Sequence, residues 1–360
     1  MQGNEIRGVH QAAVRKILGA AILCAFGTSA HAQSSVTVSG LLETGVRHTS
    51  NQLAIITGAA SDKSKTYFGD GLINPSRLTF KGTEDLGGGI KAFFNLETGF
   101  RVSNGTNNTG NIGYLENFQD ATKNRIFDRQ AALGLEGGFG KVTLGRQYTT
   151  AFIQSWGFDP IYGGGLVTWQ PSIAYTGVRQ DNMISYGKSF GAVSLGAHYV
   201  VGEAAGDNSL GRGYGIGGGF SAGGFNLNAA YQESNSTVAG AAVPTAKVAL
   251  VGGAYAFGAA KVSAGYFRNA LDGSAQKNDV IHAAFTYSAA PWSFIATAQQ
   301  DKQKSADGKH TLFVGMADYA LSKRTALFVE ADYHKVSAAF ATAGAPENST
   351  GLTFGMRHAF

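Results

Sequence analysis

Residues 90–101 read Ile-Lys-Ala-Phe-Phe-Asn-Leu-Glu-Thr-Gly-Phe-Arg. One parity is Ile90, Ala92, Phe94, Leu96, Thr98 and Phe100; the other is Lys91, Phe93, Asn95, Glu97, Gly99 and Arg101. A period of two, with one apolar and one mostly polar face, marks a β-strand held between two unlike environments. Residues 76–83 repeat the pattern, Leu78 and Phe80 on one side and Arg77, Thr79 and Lys81 on the other. So does the final stretch, where Leu352, Phe354, Met356, His358 and Phe360 alternate with Gly351, Thr353, Gly355, Arg357 and Ala359.

Outward from these stretches, similar segments recur to the end of the chain. Short turns are expected at 84–88, 137–140, 190–192, 221–224, 258–260, 289–291 and 321–324. Longer polar connections are expected near 49–74, 102–124, 149–180, 202–211, 233–245, 269–278, 301–309 and 337–348. Sixteen strands lie between them, at about 20 residues per strand with its share of loop, the rhythm of a barrel with ~10-residue strands and turns alternately short and long. Aromatics at Tyr148, Tyr186, Phe220, Tyr287, Trp292, Tyr319 and Phe360 fall near strand ends, as interfacial girdles require. Composition never breaks along the chain, so the strands form one domain.

Only 15% of residues are charged, against about 25% in ordinary soluble domains. Much of the surface therefore faces something other than water. After residue 32 the longest stretch free of charged or strongly polar side chains is about 248–260, too short for a spanning helix of ~20 residues. A chain that meets lipid without spanning helices must close its strands into a ring, because hydrocarbon offers no partner to an unpaired N–H or C=O.

The first residues read as a secretory signal peptide. Arg7, Arg15 and Lys16 form a basic segment, 17–26 is apolar, and Ala30-His31-Ala32 supplies small residues before a cut at Gln33. The expected division is thus a signal peptide over 1–32 and a barrel over 33–360. The single cysteine, Cys24, leaves with the signal, which excludes a disulfide scaffold or thiolate metal site in the mature chain. The net charge of +5 falls to 26 basic against 23 acidic residues, or +3, once Arg7, Arg15, Lys16 and Glu5 are removed. The basic residues are scattered singly, which argues against nucleic acid as a partner.

Several blocks resemble the general porins of Gram-negative bacteria, in the branch typical of β-proteobacteria. They are Ser35-Val-Thr-Val-Ser-Gly40, Ser76-Arg-Leu-Thr-Phe-Lys-Gly-Thr-Glu-Asp-Leu-Gly87, Asp128-Arg-Gln-Ala-Ala-Leu-Gly-Leu135, Gly140-Lys-Val-Thr-Leu-Gly-Arg-Gln-Tyr148, Tyr319-Ala-Leu-Ser-Lys-Arg-Thr325 and Gly355-Met-Arg-His-Ala-Phe360. The resemblance implies an all-β, sixteen-stranded antiparallel transmembrane barrel in the outer membrane, assembled as a homotrimer among lipid and lipopolysaccharide. It implies a third long loop folded into the lumen, and a terminal Phe360 read by the barrel-assembly machinery. The function it implies is passive diffusion of small hydrophilic solutes and ions.

The residues of 149–180 agree on the loop. It carries Asp159-Pro160 and the run 163–165 of three glycines, and Asp159 is its only ionisable carboxylate or base from 149 to 178. So long and so uncharged a connection is expected to pack in the lumen and not to wave in solvent. Carried onto this sequence, the family's constriction falls on Arg77, Arg129 and Arg179 of the wall, with Lys81 on the same parity as Arg77, and on Asp159 of the loop. The excess of cations implies a mild preference for anions. Arg146 shares parity with Val142 and Leu144, so its facing is ambiguous.

Enzyme signatures are missing from the sequence. Histidines 48, 198, 282, 310, 334 and 358 form no metal-binding pair, and no strand–turn–helix nucleophile elbow is present. Gly213-Tyr-Gly-Ile-Gly-Gly218 fits a dinucleotide pattern, but no helix follows it. No cofactor or metal is expected.

Overall fold

The alternation becomes one antiparallel sheet. Its strands are β1 (Ser35–Thr49), β2 (Lys65–Asp70), β3 (Arg77–Gly87), β4 (Ile90–Gly99), β5 (Gln130–Gly137), β6 (Gly140–Tyr148), β7 (Arg179–Phe190), β8 (Val193–Val200) and β9 (Gly213–Ala222). They continue with β10 (Phe225–Asn235), β11 (Thr245–Phe257), β12 (Ala260–Leu271), β13 (Lys277–Ala289), β14 (Trp292–Gln303), β15 (Gly308–Ala320), β16 (Thr325–Ser337) and β17 (Asn348–Ala359). The computed structural model describes residues 35–53, 60–71, 73–107, 125–161, 176–235, 245–305, 307–337, 340–341 and 343–360. The signal peptide expected over 1–32, the cut before Gln33 and the glycine run at 163–165 lie outside them.

From β3 onward each strand pairs with the next, and β1 pairs with β17 from Leu41↔Ala359 to Thr49↔Gly351, so the sheet closes on itself. The seventeen strands fill sixteen places in the ring. Lys65–Asp70 and Arg77–Gly87 share one place, pairing with the two halves of β1. Between them the chain leaves the ladder. Ile73 tucks in against Ile161, Leu312, Val314, Met316 and Phe328. The amides of Ile73 and Asn74 donate to Glu43 Oε1 at 2.7 and 2.8 Å, which gives the freed backbone a partner. Six of the seven expected short turns and seven of the eight long connections fall between strands; β3 runs on through 84–87, which moves that turn to 88–89, and β2 interrupts the connection expected over 49–74.

Period two then separates the faces. Leu133, Leu144, Ile184, Leu195, Ile216, Leu227, Phe313 and Phe354 are exposed, while their neighbours in sequence turn to the interior. A closed ladder with an aliphatic exterior can sit in hydrocarbon with no unpaired edge. At the short-turn end Tyr186, Phe220, Tyr287, Trp292 and Phe360 stand exposed as a girdle, with Tyr319 4.8 Å from Trp292. Tyr148 does not belong to that girdle. It stands at the other end of β6, where the third long connection begins, and turns inward to meet arginines.

Candidate functional site

The third long connection opens with a short helix, α1 (Thr150–Ser155), the single helix among the described residues. It lies against inward-facing residues of β8 to β11. Thr150 bonds His198 Nδ1 through its hydroxyl at 2.7 Å, and the amide of Ala151 donates to Gln232 Oε1 at 3.2 Å. The wall makes room for it: β9 carries glycine at its inward places 213, 215, 217 and 219, and a Cβ on Gly217 would crowd Thr150 and Gln154. The dinucleotide-like glycines are therefore a smooth bed for the helix. Further on, Phe158 drops into a notch between cross-strand partners Gly252 and Gly265, where a Cβ would overlap its ring, and packs on Phe267, Val248, Leu250 and Val280. Fully burying one such phenylalanine contributes roughly 1.5–3 kcal/mol. Residues 162–175, the rest of the connection apart from its return into β7, lie outside the described residues.

The three expected wall arginines come together. Arg129 Nε donates to Glu97 Oε1 at 2.6 Å, and Arg77 Nε lies 4.0 Å from Glu97 Oε2. Thr79 donates to the same carboxylate at 2.9 Å. Arg129 and Arg179 both donate to the Tyr148 hydroxyl, at 2.8 and 3.0 Å, and the Arg179 guanidinium also lies 4.5 Å over the Tyr148 ring. Tyr148 is braced in turn by Phe152 and Trp156. The cluster thus brings three guanidiniums together, two of them at the Glu97 carboxylate and two at the Tyr148 hydroxyl. Arg129 and Arg179 are covered, whereas the Arg77 side chain keeps 31% of its exposure.

Lys81, one turn of the pleat below Thr79, is exposed and lines a cavity of about 1020 Å³ together with Gln130, Gln147, Tyr148, Thr150 and Gln154. Asp159 is carried away from the arginines. It accepts the Ile161 amide at 3.0 Å, and its charge acts on His282 of β13, across the ring from β3 to β7. Arg146 is committed elsewhere: its guanidinium donates to Asp128 O at 2.5 Å and to Asp181 Oδ1 at 2.8 Å. Its parity was unreadable because the β6–β7 register shifts between Gly145 and Gln147, with Gly145 at φ +111°.

Glu97 and Tyr148 are the partners that sequence reasoning left out of the cluster. Glu97 was visible on the polar parity of 90–101, facing the same way as Lys91. Tyr148 carried the opposite signal, an aromatic at a strand end, which reads as girdle unless the bulge beside it is known.

A family profile described as Gram-negative porin matches residues 19–339. The chain belongs to that family. It is 32% identical over 283 residues to an outer membrane porin protein of Bordetella pertussis, spanning 71% of this chain and 69% of that one. With outer membrane porin protein 32 of Delftia acidovorans it is 29% identical, over 96% of this chain and 99% of the other. Among solved structures it is similar to the anion-selective porin from Comamonas acidovorans, at a TM-score of 0.74 and 25% identity over 91% of this chain and 100% of that one. The OmpT protein of Vibrio cholerae in its trimer form shares the fold, at a TM-score of 0.67 and 15% identity over 91% and 99%. The porin is a sixteen-place antiparallel barrel of the Gram-negative outer membrane and a passive channel for small hydrophilic solutes.

Proposed function

We propose that the porin narrows at the height of α1, where the third loop folds into the lumen, and that the narrowing prefers anions mildly. Arg77, Arg129 and Arg179 form one wall of that constriction with Lys81 beside them, and Asp159 stands on the loop opposite. The observation that carries this is the gathering of three guanidiniums on one stretch of wall, two at Glu97 and two at the Tyr148 hydroxyl, next to an exposed Lys81. Positive charge lining a narrow, low-dielectric pore raises the local concentration of counter-ions. The anion-selective porin of similar fold supports the same sign.

In this reading residues 1–32 direct export and are removed, 33–360 form the barrel, and three copies assemble among lipid and lipopolysaccharide. Nothing in it calls for catalysis, a cofactor or a metal. The last residue serves the assembly machinery: Phe360 exchanges backbone bonds with Gly40 at 3.0 and 3.1 Å, and its ring fills the space a Cβ on Gly40 would take.

The deciding experiment is the zero-current potential of the purified porin in a planar bilayer under a potassium chloride gradient. Its sign should be that of chloride passing more easily than potassium. A cation-preferring pore would overturn the proposed constriction.

A further inference from the structure

Between the arginine wall and the short turns, the inner faces of β3 to β6 carry a second group of cations. Lys81, Lys91 and Lys141 surround Phe93, and all four line the same cavity. Register fixes the arrangement: Thr83 and Gly134 flank Phe93 on the neighbouring strands, Lys81 stands opposite Asn95, and Glu136 stands between Lys91 and Lys141. A Cβ on Gly134 would overlap the Phe93 ring. The ring therefore leans over the glycine against the wall instead of blocking the bore. Lys141 Nζ sits 4.0 Å from the ring centroid, so a face of Phe93 is within reach of a charged group from the lumen.

The acids nearby do not cancel this group. Glu136 lies 4.0 Å from Lys141, with both side chains well exposed. Asp85, opposite Lys91, is turned to the amide of Gly87 at 2.8 Å. Phe93 is four residues along β4 from Glu97, about 13 Å further toward the short turns at ~3.3 Å per residue. The two cation groups are thus separate stations along one path.

We infer that this second station is a binding subsite for carboxylates with a flat apolar body, the benzoate class, whose ring lies on Phe93 while the carboxylate meets Lys141 and its neighbours. A chloride ion uses only the lysines. An aromatic anion also uses the ring face that Lys141 otherwise covers, and frees that ammonium to pair with its carboxylate. The inference rests on the proposed anion preference only in needing anions to reach this side.

The test is chloride current through the purified porin in a planar bilayer, with sodium benzoate or sodium acetate added to each side in turn. Benzoate should interrupt the current at a concentration roughly two- to tenfold lower than acetate, the range expected of one aromatic pair. Phe93→Leu keeps apolar bulk over Gly134 and should abolish that difference, while Lys141→Gln should weaken the effect of both anions. Equal potency of benzoate and acetate in the unaltered porin, or a difference that survives Phe93→Leu, would overturn the subsite. Failure of the anion preference is a separate result, read from the potential with no organic anion present.

Discussion

Two polar clusters lie on adjoining arcs of the inner wall, β3 to β7 and β15 to β1, and they are built from the same side chains to opposite ends. On β3 to β7, Arg77, Arg129 and Arg179 share Glu97 and the Tyr148 hydroxyl. On β1 and β15 to β17, the single guanidinium of Arg47 stands between two carboxylates, 2.7 Å from Asp332 and 3.1 Å from Glu330. Thr353 donates to Glu330 at 2.8 Å, His334 lies 3.0 Å from Asp332, and His310 lies 3.0 Å from His334. Phe340, packed with Leu53 and Val336, lies beside His310, and the Arg47 side chain is 4% exposed. In the first, the Arg77 side chain keeps part of its exposure, and in the proposed constriction its field reaches the bore. The second spends its charge internally, and what it accomplishes is mechanical: Arg47 reaches from the first strand over Gly351 of the last, where any Cβ would collide, to β16. It bolts the seam at which the ring closes.

On that contrast, the largest single effect belongs to the seam. Arg47→Ala leaves two buried carboxylates without their cation and should cost about 3–5 kcal/mol. It should show as a lower temperature for conversion to the unfolded band on an unheated-to-boiled SDS gel series, with the sign of selectivity kept in whatever folds. A variant of normal heat resistance but altered selectivity would erase the distinction.

The next effect tests the other side. Charges about 7 Å apart at an effective dielectric near 20 interact by roughly 2 kcal/mol before screening, and salt at physiological strength screens over ~8 Å. Replacing Arg77 and Lys81, its two most exposed cations, together by Glu should therefore reverse the zero-current potential in a potassium chloride gradient while leaving heat resistance near normal.

The segment between the clusters offers a smaller lever. Gly265→Val fills the notch under Phe158, and overpacking of this kind costs about 1–3 kcal/mol. The expected result is a loosened loop, read as larger and noisier single-channel conductance with the barrel intact. Smallest is Asp159→Asn, which should raise anion preference slightly and never change its sign. A sign change would mean that the loop carboxylate, and not the wall, governs the pore.

How much of this the sequence disclosed follows from how far apart the partners lie. Strands, turns and the sixteen places were legible because alternation is local, and Arg77 declared its facing through its neighbours Leu78 and Phe80. The seam bolt was not legible. Arg47 is separated from Glu330 and Asp332 by most of the chain, and only closure brings them together. Arg146 and Tyr148 were obscured by the bulge at Gly145, which resets the period of two on which parity depends. The broken second strand was hidden for a similar reason, since Ile73 reads as one more apolar residue until Glu43 is seen to hold the amides beside it.

The glycine row of β9 has a consequence for how such a channel can diversify. Where the wall presents no side chains, the proposed constriction takes its calibre from what the loop lays against it, and the hydrogen-bonded lattice of the ring is indifferent to that choice. Lineages or designers can therefore exchange the insert at 149–178 as a cartridge, trading one bore for another, without reopening the harder problem of making sixteen strands meet in register.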